Sequence, residues 1–160
     1  DLPWRGGQRR AAPMLRRVLF ISQARAEALR PLPGAALISI TDADAAPARL
    51  PPGWRALHRA AFDDIDPEDR ELDEFFLDDD DEEYVPMTMA QAHANAAFVY
   101  GIAAHCSALV VHCRFGQSRS AAIAKAVCVA RGLYFPRNYE LPNPYVYRLM
   151  CRAFGHGQTR

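Results

Sequence analysis

In this chain of 160 residues, the side chains best suited to chemistry stand together in His112-Cys113-Arg114-Phe115-Gly116-Gln117-Ser118-Arg119-Ser120. A thiol and a guanidinium bracket a short loop whose Gly116 permits close backbone approach. If that loop opens onto a helix, its successive amides and the free N–H groups of the first turn form a nest for an anion. Arg119 adds a planar two-pronged donor that keeps its charge and matches the oxygens of a tetrahedral oxyanion. Beside a helix N-terminus and a guanidinium, a cysteine pKa falls from roughly 8.5 to about 3.5–7.5, so Cys113 is expected to be a thiolate nucleophile. Its natural target is phosphorus, with the nest neutralising charge on the equatorial oxygens during in-line attack.

The flanking residues supply the elements this loop needs. Leu109-Val110-Val111 reads as a short, fully buried strand, and Ser118 onward reads as a helix with Ile123, Val127 and Ala130 on one stripe. Cys113 therefore enters the nest from a strand end. The alternative use of Cys113 is a free cysteine packed at that strand end.

HCRFGQSRS resembles the His-Cys-x5-Arg-Ser/Thr phosphate loop of the cysteine-dependent protein tyrosine phosphatases, above all their dual-specificity branch. The resemblance implies Cys113 as nucleophile, Arg119 as binder of phosphate and transition state, and Ser120 as a hydroxyl that helps the thiolate leave. It implies that His112 orients the loop and helps keep the thiol ionised, and that Arg114, Phe115, Gly116, Gln117 and Ser118 line the substrate site. Phe115 departs from the family, which usually has a small or acidic residue there, so a bulkier outer wall is expected. The segment Pro142-Asn143-x-x-Val146-x-x-Leu149 is similar to one that follows the loop helix in these enzymes, with Arg148 in place of a glutamine. By that likeness Asn143 would hold the phosphate loop through hydrogen bonds; otherwise it is a helix cap or turn residue.

A thiolate cannot protonate the departing oxygen of a phosphomonoester, so a carboxylic acid above the nest is required. The family carries an aspartate at the end of the strand before its acid loop. Phe62-Asp63-Asp64 fits with Asp64 as the acid, Asp63 and Asp66 being the alternatives. The distance in sequence from Asp64 to Cys113 exceeds the family's habit, and an acidic insertion at about 66–86 accounts for the surplus. Its unbroken run 78–83 reads first as a solvated face, with a rim selecting phosphosites flanked by basic residues as the functional alternative. Phe75-Phe76-Leu77 would anchor it to the body.

The rest of the chain builds the frame. Val18-Leu19-Phe20-Ile21 is a strand, Ser22 caps a short helix ending at Pro31-Leu32-Pro33-Gly34, and residues 36–40 form a second strand closed by the turn cluster 41–44. Residues 54–62 read as a third strand. A helix follows over 86–104, on the spacing of Met89, Ala92, Ala96, Val99 and Ala103, and Gly132 ends the loop helix. A Pro- and Asn-rich connection then leads to a last helix over 145–154. This alternation predicts a single α/β domain with a mainly parallel sheet of four to five strands flanked by helices, like that of the protein tyrosine phosphatases. Ligands bind such sheets at the carboxyl ends of the strands, where both Asp63-Asp64 and the Cys113 loop fall.

Composition narrows the class. Half the residues are hydrophobic and the formal net charge is zero, which implies neither a nucleic-acid nor a membrane partner. Residues 1–13 lack an apolar signal core and read as an arm or tag-like extension of a phosphatase domain over 14–160. The four cysteines have neither zinc nor disulfide-framework spacing, so a reducing, cytoplasmic setting with no metal and no cofactor is expected. His93 and His105 are read as ordinary histidines. Arginine supplies all the basic residues but Lys125, a bias that hints at a GC-rich genome and a small bacterial member of the family. The expected reaction is hydrolysis of phosphotyrosine in a phosphorylated protein or peptide, with phosphoserine and phosphothreonine left open. The alternatives are a phosphate-binding interaction module that does not turn over, or a phosphatase for a non-protein substrate such as a phosphoinositide or an RNA 5′ end.

Overall fold

A computed structural model describes residues 14–69 and 83–155. The arm at 1–13, Phe75-Phe76-Leu77 and all of the acidic run except Glu83 lie outside the described residues. The apolar runs become strands β1 (Arg17–Ser22), β2 (Ala35–Thr41), β3 (Ala56–Ala61) and β4 (Ala108–Cys113). They form one parallel sheet in the order β1-β4-β2-β3.

Burial follows from that order. β2 and β4 are central, and β2 is buried along its whole length, the polar Ser39 and Thr41 included. β3 is an edge strand with alternating exposure, which accounts for the arginine and histidine within it. The sheet being parallel throughout, all four carboxyl ends open on one side. Ser22 pairs with Cys113, Ser39 with His112 and Thr41 with Ala61.

The helices are α1 (Gln23–Ala28), α2 (Met89–Ile102), α3 (Arg119–Arg131) and α4 (Pro144–Ala153). Ser22 caps α1 by accepting from the Arg25 amide. α2 starts three residues later than its sequence pattern suggests, because Thr88 and Gln91 close a reciprocal capping box. Gly132 ends α3 in the left-handed conformation that a side chain disfavours. α3 packs on β1, β4 and α4, and α4 also packs on α2. Its small residues let α3 lie close to the sheet, with Ala121, Ala122, Ile123, Ala124 and Val127 fully buried. Among the described residues no helix is long and apolar enough to cross a membrane.

Candidate active site

The loop between β4 and α3 is pinned by Gly116. Its φ is 70°, and a Cβ there would lie 2.3 Å from the Ile21 carbonyl carbon and 2.4 Å from the Ser22 nitrogen. A side chain is excluded twice over, by conformation and by the main chain leaving β1. Cys113, at the end of β4, is 2% exposed. Ser120 Oγ stands 3.1 Å from its sulfur, and against a thiolate that hydroxyl donates.

Burial pushes the Cys113 pKa up, but the Ser120 hydroxyl and amide, the Arg119 guanidinium and the Gly116 amide outweigh it. The net result lies below the ordinary thiol value of 9.0. His112 is fully buried, with Nε2 2.6 Å from Ser39 Oγ on β2. Burial is the chief reason its pKa is lowered, so at neutral pH the imidazole orients the strand end without adding a full positive charge beside the sulfur.

Arg119 is the first residue of α3 and only 3% exposed. Its Nη1 donates to the Phe62 carbonyl at 2.7 Å and pairs with Asp42 Oδ1 at 2.8 Å. Those two bonds account for both protons of Nη1 and fix the plane of the guanidinium. Nε is buried with no partner, which leaves that edge of the fork for an incoming oxyanion. Asp42, directly after β2, has no part in the sequence reading beyond a turn residue. Its one available signal was its place at the carboxyl end of a parallel strand.

The three candidate acids separate cleanly. Asp63 accepts from the Ala43 and Val85 amides, one on each oxygen, and acts as a latch between two segments. Asp66 accepts from the Glu68 amide and lies 3.6 Å from Arg148 on α4. Asp64 alone reaches the Cys113–Ser120 loop: its Oδ1 accepts from Ser118 Oγ at 2.8 Å and from Asn143 Nδ2 at 2.9 Å. With Oδ1 receiving two donors, the proton of the acid form falls to Oδ2.

The Asn143 side chain is a helix cap that also ties down the Asp64 segment, and the residue's contact with the Cys113 loop is made by its main chain alone. Its Oδ1 caps α4 through the Val146 amide. Its Nδ2 also donates to the Ile65 carbonyl, and its backbone N–H donates to the Ser118 carbonyl. Ser118, nominally the cap of α3, makes no side-chain cap bond because its hydroxyl goes to Asp64. The Ser120 amide at the head of α3 serves Cys113, and no side-chain cap occupies its neighbours in that first turn.

The rim is open. Phe115 is 70% exposed, and Arg114 lies 5.3 Å from the centre of its ring. Gln117 is exposed, and its carbonyl accepts from Tyr139. A cleft of about 510 Å³ lies on the Phe115 side, walled by Gln23, Ala24, Glu27, Asp42 and Ala46. A second, of about 680 Å³, lies beyond Arg114 among Asp42, Asp44, Asp63, Glu83 and Val85. Cys106, Cys113, Cys128 and Cys151 are all free thiols. Comparison with known proteins adds no identity: no family model, no curated protein and no solved structure matches the chain.

Proposed function

We propose that the protein is a cysteine-dependent phosphomonoesterase that removes phosphate from phosphotyrosine, with phosphoserine and phosphothreonine open as further substrates. The observation that carries this reading is one hydrogen-bonded unit. A thiol of depressed pKa sits beside Ser120 and Arg119, and a carboxyl is tied to the same loop through Ser118. A metal-free mechanism needs a nucleophile, an oxyanion binder and an acid, and this unit contains candidates for each.

In the first step Cys113 Sγ attacks phosphorus, the ester P–O bond breaks, and Asp64 gives its proton to the departing oxygen. In the second, water loses a proton to Asp64 and attacks phosphorus. The P–S bond breaks, phosphate leaves, and the Ser120 hydroxyl stabilises the returning thiolate. Arg119 and the loop amides hold the equatorial oxygens through both steps. The clefts on either side of Arg114 offer room for peptide flanking the phosphorylated residue, which favours a protein substrate. A reducing compartment such as the cytoplasm suits the thiolate, and the domain would run over 14–160.

Hydrolysis of a small aryl phosphate should persist in excess chelator and vanish in Cys113→Ser. Asp64→Ala should slow it by roughly 10²–10⁴-fold, the scale of general acid catalysis, while inorganic phosphate still binds. Activity that survives Cys113→Ser overturns the assignment. Tight binding of phosphopeptide by wild type without turnover would make the protein a recognition module instead, and a preference for phosphoinositide in a substrate panel would move it to the non-protein class.

A further inference from the structure

A peptide unit is planar and trans, so its C=O and N–H point in opposite directions. Holding a loop carbonyl outward therefore aims the next residue's amide inward. Three carbonyls of the phosphate loop are held in this way by donors outside the loop. The Gln23 amide donates to Arg114 O at 3.3 Å, the Asn143 amide to Ser118 O at 3.2 Å, and the Tyr139 hydroxyl to Gln117 O at 2.6 Å. The corresponding inward amides belong to Phe115, Arg119 and Ser118. Two of the anchors are main chain; Tyr139 is the one supplied by a side chain.

We propose that Tyr139 is a positioning residue of the active site, whose hydroxyl holds the Gln117–Ser118 peptide so that the Ser118 amide faces the bound phosphate. The inference rests on reading the loop as a phosphate nest. Tyr139 comes from the connection between α3 and α4, and its ring is locked edge-on against Phe20 at 5.0 Å and Phe135 at 6.0 Å. The hydroxyl therefore reaches Gln117 O from a fixed ring, and little entropy is lost in making that bond. Burial, and then the charge of Cys113, raise its pKa above the usual 10.0, which keeps it a donor across the working range. Next to the free N-terminal turn of α3, one misdirected peptide would present a carbonyl oxygen to a phosphate oxygen in place of an amide.

The test compares Tyr139→Phe, which keeps the ring and removes the hydroxyl, with Phe135→Leu, which disturbs the ring packing and keeps the hydroxyl. Inhibition by inorganic phosphate, KM and kcat for a small aryl phosphate, and melting temperature are measured on each full chain. Tyr139→Phe should weaken phosphate roughly five- to tenfold, the equivalent of one ordinary hydrogen bond, with a melting temperature no lower than that of Phe135→Leu. Phosphate affinity within about twofold of wild type, well below one hydrogen bond's contribution, would overturn the proposal. An equal loss in Phe135→Leu would overturn it too, since packing would then be the cause. Should the wild type bind phosphate without hydrolysing the ester, the hydrolase reading fails while the phosphate comparison still decides the role of Tyr139. A wild type that binds no phosphate removes the nest, and the proposal with it.

Discussion

Cys113 and Asp42 have opposite effects on the same small volume. The donors around Cys113 hold its pKa below 9.0, so the thiolate fraction at a given pH exceeds that of an ordinary thiol. Alkylation by iodoacetamide should then follow a titration with its midpoint below 9.0. In Ser120→Ala the hydroxyl that lowers the pKa is gone and the midpoint should rise; mass spectrometry of the Cys113 peptide across pH reads both. Asp42 brings a carboxylate within 2.8 Å of Arg119. It holds the guanidinium plane at the cost of some positive field. Asp42→Ala leaves Arg119 only the Phe62 carbonyl, and kcat/KM should fall by roughly 10- to 100-fold, the equivalent of one charge-assisted hydrogen bond. Asp42→Asn keeps an acceptor and should recover part of that loss.

At the scale of elements, legibility tracked local pattern. Each apolar run became a strand, and the caps at Ser22 and Gly132 fell where their residue types demanded. The loop was readable because its chemistry is contiguous: thiol, glycine and guanidinium lie within one short stretch. Which of Asp63, Asp64 and Asp66 faces the Cys113 loop was not readable from physics alone. All three carboxylates share a loop, and only tertiary hydrogen bonds to Ser118 and Asn143 tell them apart. Asp42 and Tyr139 escaped notice for the same reason, since a turn aspartate and a connection tyrosine acquire meaning only when the sheet order brings them to the loop. Gly116 makes the sharpest prediction here. Gly116→Ala puts a methyl group against the β1 backbone at a positive φ, and should abolish activity and lower stability by more than about 1 kcal/mol, measured by denaturant unfolding.

For the whole molecule, the parallel sheet gathers its four carboxyl ends, which is why residues as distant in sequence as Ser22, Asp42, Asp64 and Cys113 share one site. The core beneath is held by small residues of α3, and it contains a buried thiol, Cys128, outside the Cys113 loop. Burial raises Cys128 from 9.0 to about 11, and its sulfur stands 3.3 Å from the Tyr134 carbonyl. A group whose folded pKa is raised keeps the native state protonated where the unfolded chain has already ionised. Its contribution is thus intact below 9.0 and is lost as pH rises toward about 11. Over that window wild type should lose at most about 2 kcal/mol more stability than Cys128→Ala. Parallel unfolding curves for the two proteins on either side of the window provide the measurement.

The close approach of Gly116 to Ile21 and Ser22 also sets what an engineer can change. The floor of the Cys113 loop is bare main chain, contributed where β1 gives way to α1. No exchange of side chain at either position can raise or lower that floor, because the atoms in contact belong to every amino acid alike. Chain length is the one variable that can. An inserted or deleted residue at the β1–α1 junction would shift the floor bodily, so the floor should survive varied residue types at Ile21, and capping residues at Ser22, but no change in their number.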